Sequence, residues 1–138
     1  MSEQQHIKVV LVGETQTGKT AIITRVIDDE FSYESPSTFV ASMKGKRFSY
    51  ADGKEVTLDI WDTAGQEKFR ALNTVFYKNA AIAIMVYSIA SKKTFEEIKN
   101  YWHHEIQTHC INNPSKHREI IIYSSCVEIN QIYMQKKK

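Results

Sequence analysis

Gly13, Gly18, Lys19 and Thr20 hold the fixed positions of one short segment, Gly13-Glu14-Thr15-Gln16-Thr17-Gly18-Lys19-Thr20. The spacing is G-x-x-x-x-G-K-[ST], a pattern that cradles phosphates. Gly13 and Gly18 let the loop take backbone angles that a Cβ would forbid. Successive N–H groups can then turn inward and form a concave anion site. A helix starting near Lys19 adds its positive end. Lys19 brings a full positive charge to terminal phosphates, and Thr20 offers a hydroxyl oxygen to Mg²⁺, which takes hard oxygen ligands. Glu14, Thr15, Gln16 and Thr17 complete the loop and belong to the same candidate binding set. A plain glycine turn would use the same residues, so the setting has to decide.

The setting is strand, loop, helix. Ile7-Lys8-Val9-Val10-Leu11-Val12 is a branched apolar run that reads as a buried strand. Thr20 to Ile27 carries apolar residues on a helical period. A long polar segment from Asp28 to Gly45 follows, of a length that is usually functional or mobile. Lys46 to Tyr50 and Glu55 to Trp61 read as strands joined at Asp52-Gly53, a hairpin signal because both residues tolerate positive φ. Val56, Leu58 and Ile60 alternate with Thr57 and Asp59, which predicts one buried face. A short helix is predicted over Glu67 to Phe76. Ala80 to Tyr87 resembles a doubly covered parallel strand. Lys93 to Thr108 places Phe95, Ile98, Trp102 and Ile106 at helical spacing, and Arg118 to Tyr123 contains a last strand. Strands alternating with helices predict an α/β domain with a mostly parallel sheet. Ligands bind such sheets at the carboxyl ends of the strands. The loop from Gly13 and the loop from Asp62 both leave strand ends and can converge on one ligand.

The chain has 138 residues, enough for one domain with a real core. A net charge of +2 with interspersed signs gives no footprint for nucleic acid. Cys110 and Cys126 form neither a metal cluster nor a disulfide framework, which suits a reducing, cytoplasmic location. No apolar run reaches a membrane span, and the first residues are too polar for a signal peptide. Lys136-Lys137-Lys138 is a short basic end, too weak for stable membrane anchoring.

Trp61-Asp62-Thr63-Ala64-Gly65-Gln66-Glu67 is the second constellation. Together with the upstream loop it resembles the Ras superfamily of small GTPases, most closely the Rab branch, from about Ile7 to Tyr123. Phe76-Tyr77-Lys78-Asn79-Ala80 before a strand ending Met85-Val86-Tyr87 is similar to a Rab signature. The resemblance implies a P-loop NTPase (Ras-like) fold with helices on both sheet faces. It also implies GTP or GDP as bound nucleotide with Mg²⁺, held by Thr20, Thr38 and Asp62. Gly65 would give its N–H to the γ-phosphate, and Gln66 would orient the attacking water while Lys19 stabilises charge. Thr38 matches the threonine that senses the γ-phosphate, and Phe31 the aromatic against the base. An exchange factor, a GTPase-activating protein and effectors are the implied partners, and a monomer is expected. The implied process is a switch in vesicle trafficking.

The chain departs from the family in several places. T-I-G is usual from the switch threonine; here it is Thr38-Phe39-Val40, beside the effector surface. Thr15 stands where relatives carry glycine or serine, and its methyl would crowd Gln66 and slow intrinsic hydrolysis. Ser88 replaces a usual aspartate. The guanine-reading G-N-K-x-D is replaced by Ser124-Ser125-Cys126-Val127-Glu128-Ile129-Asn130-Gln131. A sixth strand, a final helix and prenylated cysteines are not seen. The expected division is therefore a partial GTPase domain over 1–123, lacking the last strand and helices, and a non-homologous basic tail over 124–138. Val127 to Ile132 can be encoded GTG-GAA-ATA-AAT-CAG-ATT, which read two bases later gives Gly-Asn-Lys-Ser-Asp. A shifted reading frame would account for the tail. Without guanine contacts, binding should weaken and GTP lose its advantage over ATP. Poor solubility is also expected, from an exposed edge strand and uncovered apolar surface. A nucleotide-binding or partner-sequestering protein without turnover is the principal alternative; a nucleotide kinase fits W-D-T-A-G-Q poorly, and a non-functional product stands as the third.

Overall fold

The computed structural model describes residues 5–32, 37–65, 67–110 and 119–125. The branched apolar run near the start forms β1 (Gln5–Val12), whose last four residues are buried. Four more strands join it: β2 (Ser42–Ser49), β3 (Glu55–Asp62), β4 (Ile82–Ser88) and β5 (Glu119–Ser125). Their order across the sheet is β2-β3-β1-β4-β5. β3 and β4 run parallel to β1, and β5 runs parallel to β4. β2 alone among these is antiparallel, paired to β3 by the hairpin.

Helices cover both faces, as the alternation of β1 requires. Val9 and Leu11 pack with Ile23 of α1 (Lys19–Asp28), together with Ile60 and Val86. Val10 and Val12 point the other way, onto Tyr77 of α2 (Arg70–Tyr77) and onto Ile98, Trp102 and Ile106. Each fully buried side chain of this kind contributes about 1.5–3 kcal/mol. The architecture is the mixed α/β, mostly parallel arrangement that the pattern predicts.

Local differences have physical reasons. β2 begins at Ser42 rather than Lys46 and takes in Gly45. Its side chains are nearly all exposed, so no apolar alternation marks it; the ladder from Ser42↔Asp62 to Ser49↔Glu55 holds it. In the hairpin, Gly53 has φ of 80°, while Asp52 is not among the positive-φ residues. Asp52 instead accepts the Lys54 N–H on Oδ1 at 3.1 Å, and Gly53 N–H reaches the Tyr50 carbonyl at 3.0 Å. That is a type I turn closed by a left-handed glycine, so one residue needs positive φ rather than two.

The segment expected as a short helix starts with a 3-10 turn (Glu67–Phe69) before α2. The helix expected over Lys93 to Thr108 is three pieces: α3 (Lys92–Glu97), a π turn (Ile98–Trp102) and α4 (His103–Cys110). Buried Ile98, Trp102, Ile106 and Cys110 keep one face in the core through the π turn and α4, while α3 has no buried residue. The final strand runs on to Ser125. Among the described residues, no helix is long and apolar enough to cross a membrane.

Candidate functional site

β1 ends at Val12, and the chain must turn sharply to enter α1. Gly13 does so with φ of 144°. A Cβ there would sit 2.1 Å from the Val86 carbonyl oxygen of β4. No other residue fits without moving the sheet. Gln16 also adopts positive φ, at 60°, a departure that the glycine pattern alone does not show. Gly18, at the N-cap of α1, is left-handed too. Thr17 is buried, and its hydroxyl donates to the Glu14 carbonyl at 2.9 Å, which pins the crest of the loop.

Lys19 starts α1 and folds back over the loop. Its Nζ donates to the carbonyls of Gly13 (2.9 Å) and Glu14 (2.8 Å). The side chain is buried, and that burial pushes the ammonium pKa down to about 8, against the pull of the Asp62 and Glu14 carboxylates. Both direct hydrogen-bond partners are neutral carbonyls, so the ammonium could turn to a phosphate oxygen without breaking an ion pair.

Three oxygen groups meet beside it. The Thr20 hydroxyl donates to Asp62 Oδ2 at 2.6 Å. Its oxygen also lies 2.8 Å from the Thr38 hydroxyl. Asp62 ends β3, one strand over from β1, so the parallel pairing Leu11↔Asp62 sets it level with the start of the loop. Burial pushes the Asp62 carboxyl pKa up, tempered by the Thr20 hydrogen bond and by Lys19. Asp62 Oδ1 is buried and has no hydrogen-bond partner. An orphaned carboxylate oxygen beside two hydroxyls is a hard-oxygen donor set, and it fits Mg²⁺. Among the described residues, no group of three or more His, Cys, Asp or Glu converges on a metal site. That is ordinary for Mg²⁺, which keeps few protein ligands and shares phosphate oxygens.

Gly65 closes the arrangement from the Asp62 side. A Cβ on it would lie 2.5 Å from the Thr15 nitrogen, 2.6 Å from the Glu14 carbonyl carbon and 2.7 Å from Lys19 Nζ. Thr63 and Asn73 brace this segment: the Thr63 hydroxyl donates to Leu11 O at 2.6 Å, and Asn73 Nδ2 donates to Ala64 O. The structure therefore brings together the loop 13–20, Thr38, Asp62 and Gly65. Phe31 lies in the segment after α1 and is half-buried. Gln66 lies outside the described residues, as do Cys126 and the terminal lysines. Thr15 is exposed at the crest.

A loop of this build, its lysine, and an aspartate and glycine arriving from the next strand end form a concave site suited to an anion, with hard oxygen donors beside it. A model of the Ras family matches residues 8–131. The chain belongs to the Ras family. Rab proteins are among its relatives in that family. It is 37% identical over 107 residues to "Ras-related protein Rab-18" of Caenorhabditis elegans, covering 78% of this chain and 52% of that one. It is 40% identical over 108 residues to "Ras-related protein RABA5b" of Arabidopsis thaliana, covering 78% and 49%. It is 37% identical over 107 residues to "Ras-related protein Rab-18-B" of Danio rerio, covering 78% and 51%. This Ras-family chain thus spans about half the length of the curated relatives it matches.

Sequence reasoning missed one cluster of this Rab-like site. The Glu14 carboxylate leaves the loop and turns inward to Arg70 and Trp102. An acidic residue inside a phosphate loop was a signal, since its charge has the wrong sign for the ligand. The Trp102 periodicity marked it as core, and core it is; that its indole N–H also serves Glu14 follows only from packing.

Proposed function

We propose that this chain is a Mg²⁺-dependent GTP-binding switch of the Rab type that hydrolyses GTP and serves vesicle trafficking. The observation that carries the reading is the meeting of Thr20, Thr38 and the orphaned Asp62 oxygen beside the Lys19 loop. Thr20, Thr38 and Asp62 would hold Mg²⁺, which when bound neutralises phosphate charge and lowers the barrier to transfer. The amides of residues 13–19 and the Lys19 ammonium bind and orient the phosphates, and Gly65 presents its N–H to the terminal one. Gln66 orients the attacking water, and Phe31 lies against the base. Thr38 and Gly65 respond to the γ-phosphate, so their two segments are ordered before hydrolysis and released after it.

Exchange factor, GTPase-activating protein and effectors are the partners in this reading. Phe39 and Val40 are well exposed, beside Thr38, and the Phe39 ring meets Phe69 edge-on at 6.1 Å between centroids. That apolar surface stands where the usual T-I-G becomes Thr38-Phe39-Val40, so partner choice should differ from that of relatives. In this reading the partial GTPase domain over 1–123 carries the function, and the sequence from 124 to 138 contains no G-N-K-x-D motif.

Calorimetry with Mg·GTP and Mg·ATP tests binding, and single-turnover hydrolysis with Gln66→Leu as control tests chemistry. Binding with a reduced GTP preference and Gln66-dependent turnover is the expected result. No uptake of either nucleotide by folded protein would sink the reading. Uptake with no difference between wild type and Gln66→Leu would leave a binding protein without turnover.

A further inference from the structure

Glu14 is 8% exposed, and its carboxylate sits within the loop that would hold phosphates. It sits beside the cradle, since the backbone carbonyl of the same residue accepts from Lys19 Nζ at 2.8 Å. Its charge repels a phosphate anion unless something offsets it. Two groups engage it. Trp102 donates its indole N–H to Glu14 Oε1 at 2.9 Å. Arg70, at the start of α2, forms a short ion pair with the same oxygen. Arg70 also reaches Glu97 Oε2 at 3.3 Å, and its guanidinium lies 3.9 Å from the Tyr101 ring centroid. Glu97 ends α3, while Tyr101 and Trp102 lie in the π turn, a feature frequent at functional sites. Arg70 follows Gly65 closely in the chain. One guanidinium therefore ties the phosphate loop, the segment after β3 and the π turn to each other.

We propose that Arg70 is a positioning residue for the phosphate loop: it offsets Glu14 and locks the loop to the segment that carries Gly65, so that a Mg²⁺-bound triphosphate enters a cradle without uncompensated negative charge. The proposal rests on the nucleotide-binding reading above and adds the residue that tunes it. A buried pair broken at one end leaves the other charge exposed to its surroundings, which costs more than removing both. The pair is thus separable by a rescue experiment.

The test uses the full chain in a Trp61→Phe background, which leaves Trp102 as the sole tryptophan. The probes are Mg²⁺ with a methylanthraniloyl GTP and Mg²⁺ with inorganic triphosphate, the latter blind to the base. Arg70→Ala should weaken both by about 10-fold or more, and Glu14→Gln/Arg70→Ala should recover most of the loss. Arg70→Lys should fall between, since it keeps the charge without the planar fork. Triphosphate should shift the Trp102 emission in the Glu14-containing protein and not in Glu14→Gln. Equal affinities for Arg70→Ala and its parent, a double variant no better than Arg70→Ala, or emission indifferent to Glu14→Gln each overturn the proposal. If Arg70→Ala does not fold, Arg70→Lys and the double variant carry the same comparison. If the parent takes up neither probe, all variants read alike; that distinct result defeats the nucleotide reading and this proposal with it.

Discussion

Gly65 and Lys19 stand so close that a methyl group on the first would lie 2.7 Å from the ammonium nitrogen of the second. Two strand ends are thereby brought into direct apposition: Lys19 belongs to the loop after β1, Gly65 to the loop after β3. Only a residue without a side chain permits that approach. The Thr15 nitrogen and Glu14 carbonyl carbon, at 2.5 and 2.6 Å from the same notional methyl, leave it no direction of escape.

Gly65→Ala should therefore push the loop after β3 off the phosphate loop. Overpacking of this order costs about 1–3 kcal/mol. If that cost is taken from ligand binding, the triphosphate complex weakens by about 10-fold or more, while the diphosphate complex, lacking the γ-phosphate contact, changes less. Titration of both nucleotides with Mg²⁺ measures the difference. Equal weakening of both would show that Gly65 does not sense the γ-phosphate.

Asp62→Asn keeps an oxygen for the Thr20 hydroxyl but removes the charge of the orphaned Oδ1. The fold should persist, with a thermal midpoint near that of the parent. Mg²⁺ dependence should not. In the parent, chelation of Mg²⁺ is expected to lower nucleotide affinity by about 10-fold or more; in Asp62→Asn, chelation should change little. A variant that still responds fully to the metal would move the Mg²⁺ site elsewhere.

Lys19 makes ligand-free stability depend on pH. Its folded pKa, near 8, lies below the ordinary value of 10.5 because burial disfavours the charge. Between those values the unfolded chain binds more protons, so stability rises with pH across that window and is lost again as pH falls toward 8. The full effect is about 3 kcal/mol. Urea melts of the parent against Lys19→Met, without nucleotide or metal, isolate it. The parent's extra rise between pH 8 and 10 should vanish in the variant; parallel profiles would show that Lys19 is solvated.

Gly13 and Gly53 offer a matched pair. Both have positive φ, but a Cβ at Gly13 meets the Val86 oxygen at 2.1 Å, whereas one at Gly53 meets nothing within 4 Å. Gly53→Ala should cost about 1 kcal/mol from backbone strain alone. Gly13→Ala should cost more than about 4 kcal/mol and prevent cooperative folding. Thermal melts rank them, and a milder effect at Gly13 would contradict the close approach of β1 and β4.

Much of this was legible in the residues. Val9 to Val12 alternate in burial direction although all are apolar, and the branched apolar run still marked a buried strand. The Gly13–Thr20 spacing and the Asp62–Gly65 block carry local constraints: backbone angles, charge and hard oxygen donors, each set by residue type within a few positions. β2 was harder to place. An exposed edge strand buries too little to leave a pattern, and its start at Ser42 comes from the ladder with β3. The π turn was not legible either, because its buried face runs on into α4 at ordinary helical spacing.

The amino-acid order by itself pointed to the class of chemistry: a phosphate-loop pattern with one hydroxyl placed for Mg²⁺, and an α/β sheet to hold it. Tertiary structure alone decided which distant groups share an atom. Thr20 meets Asp62 across 42 positions, Arg70 meets Glu14 across 56, and Trp102 meets Glu14 across 88. Such contacts depend on which strands lie side by side and on how a helix seats its face. Those choices emerge from packing the whole core at once, and no local pattern of residue types encodes them.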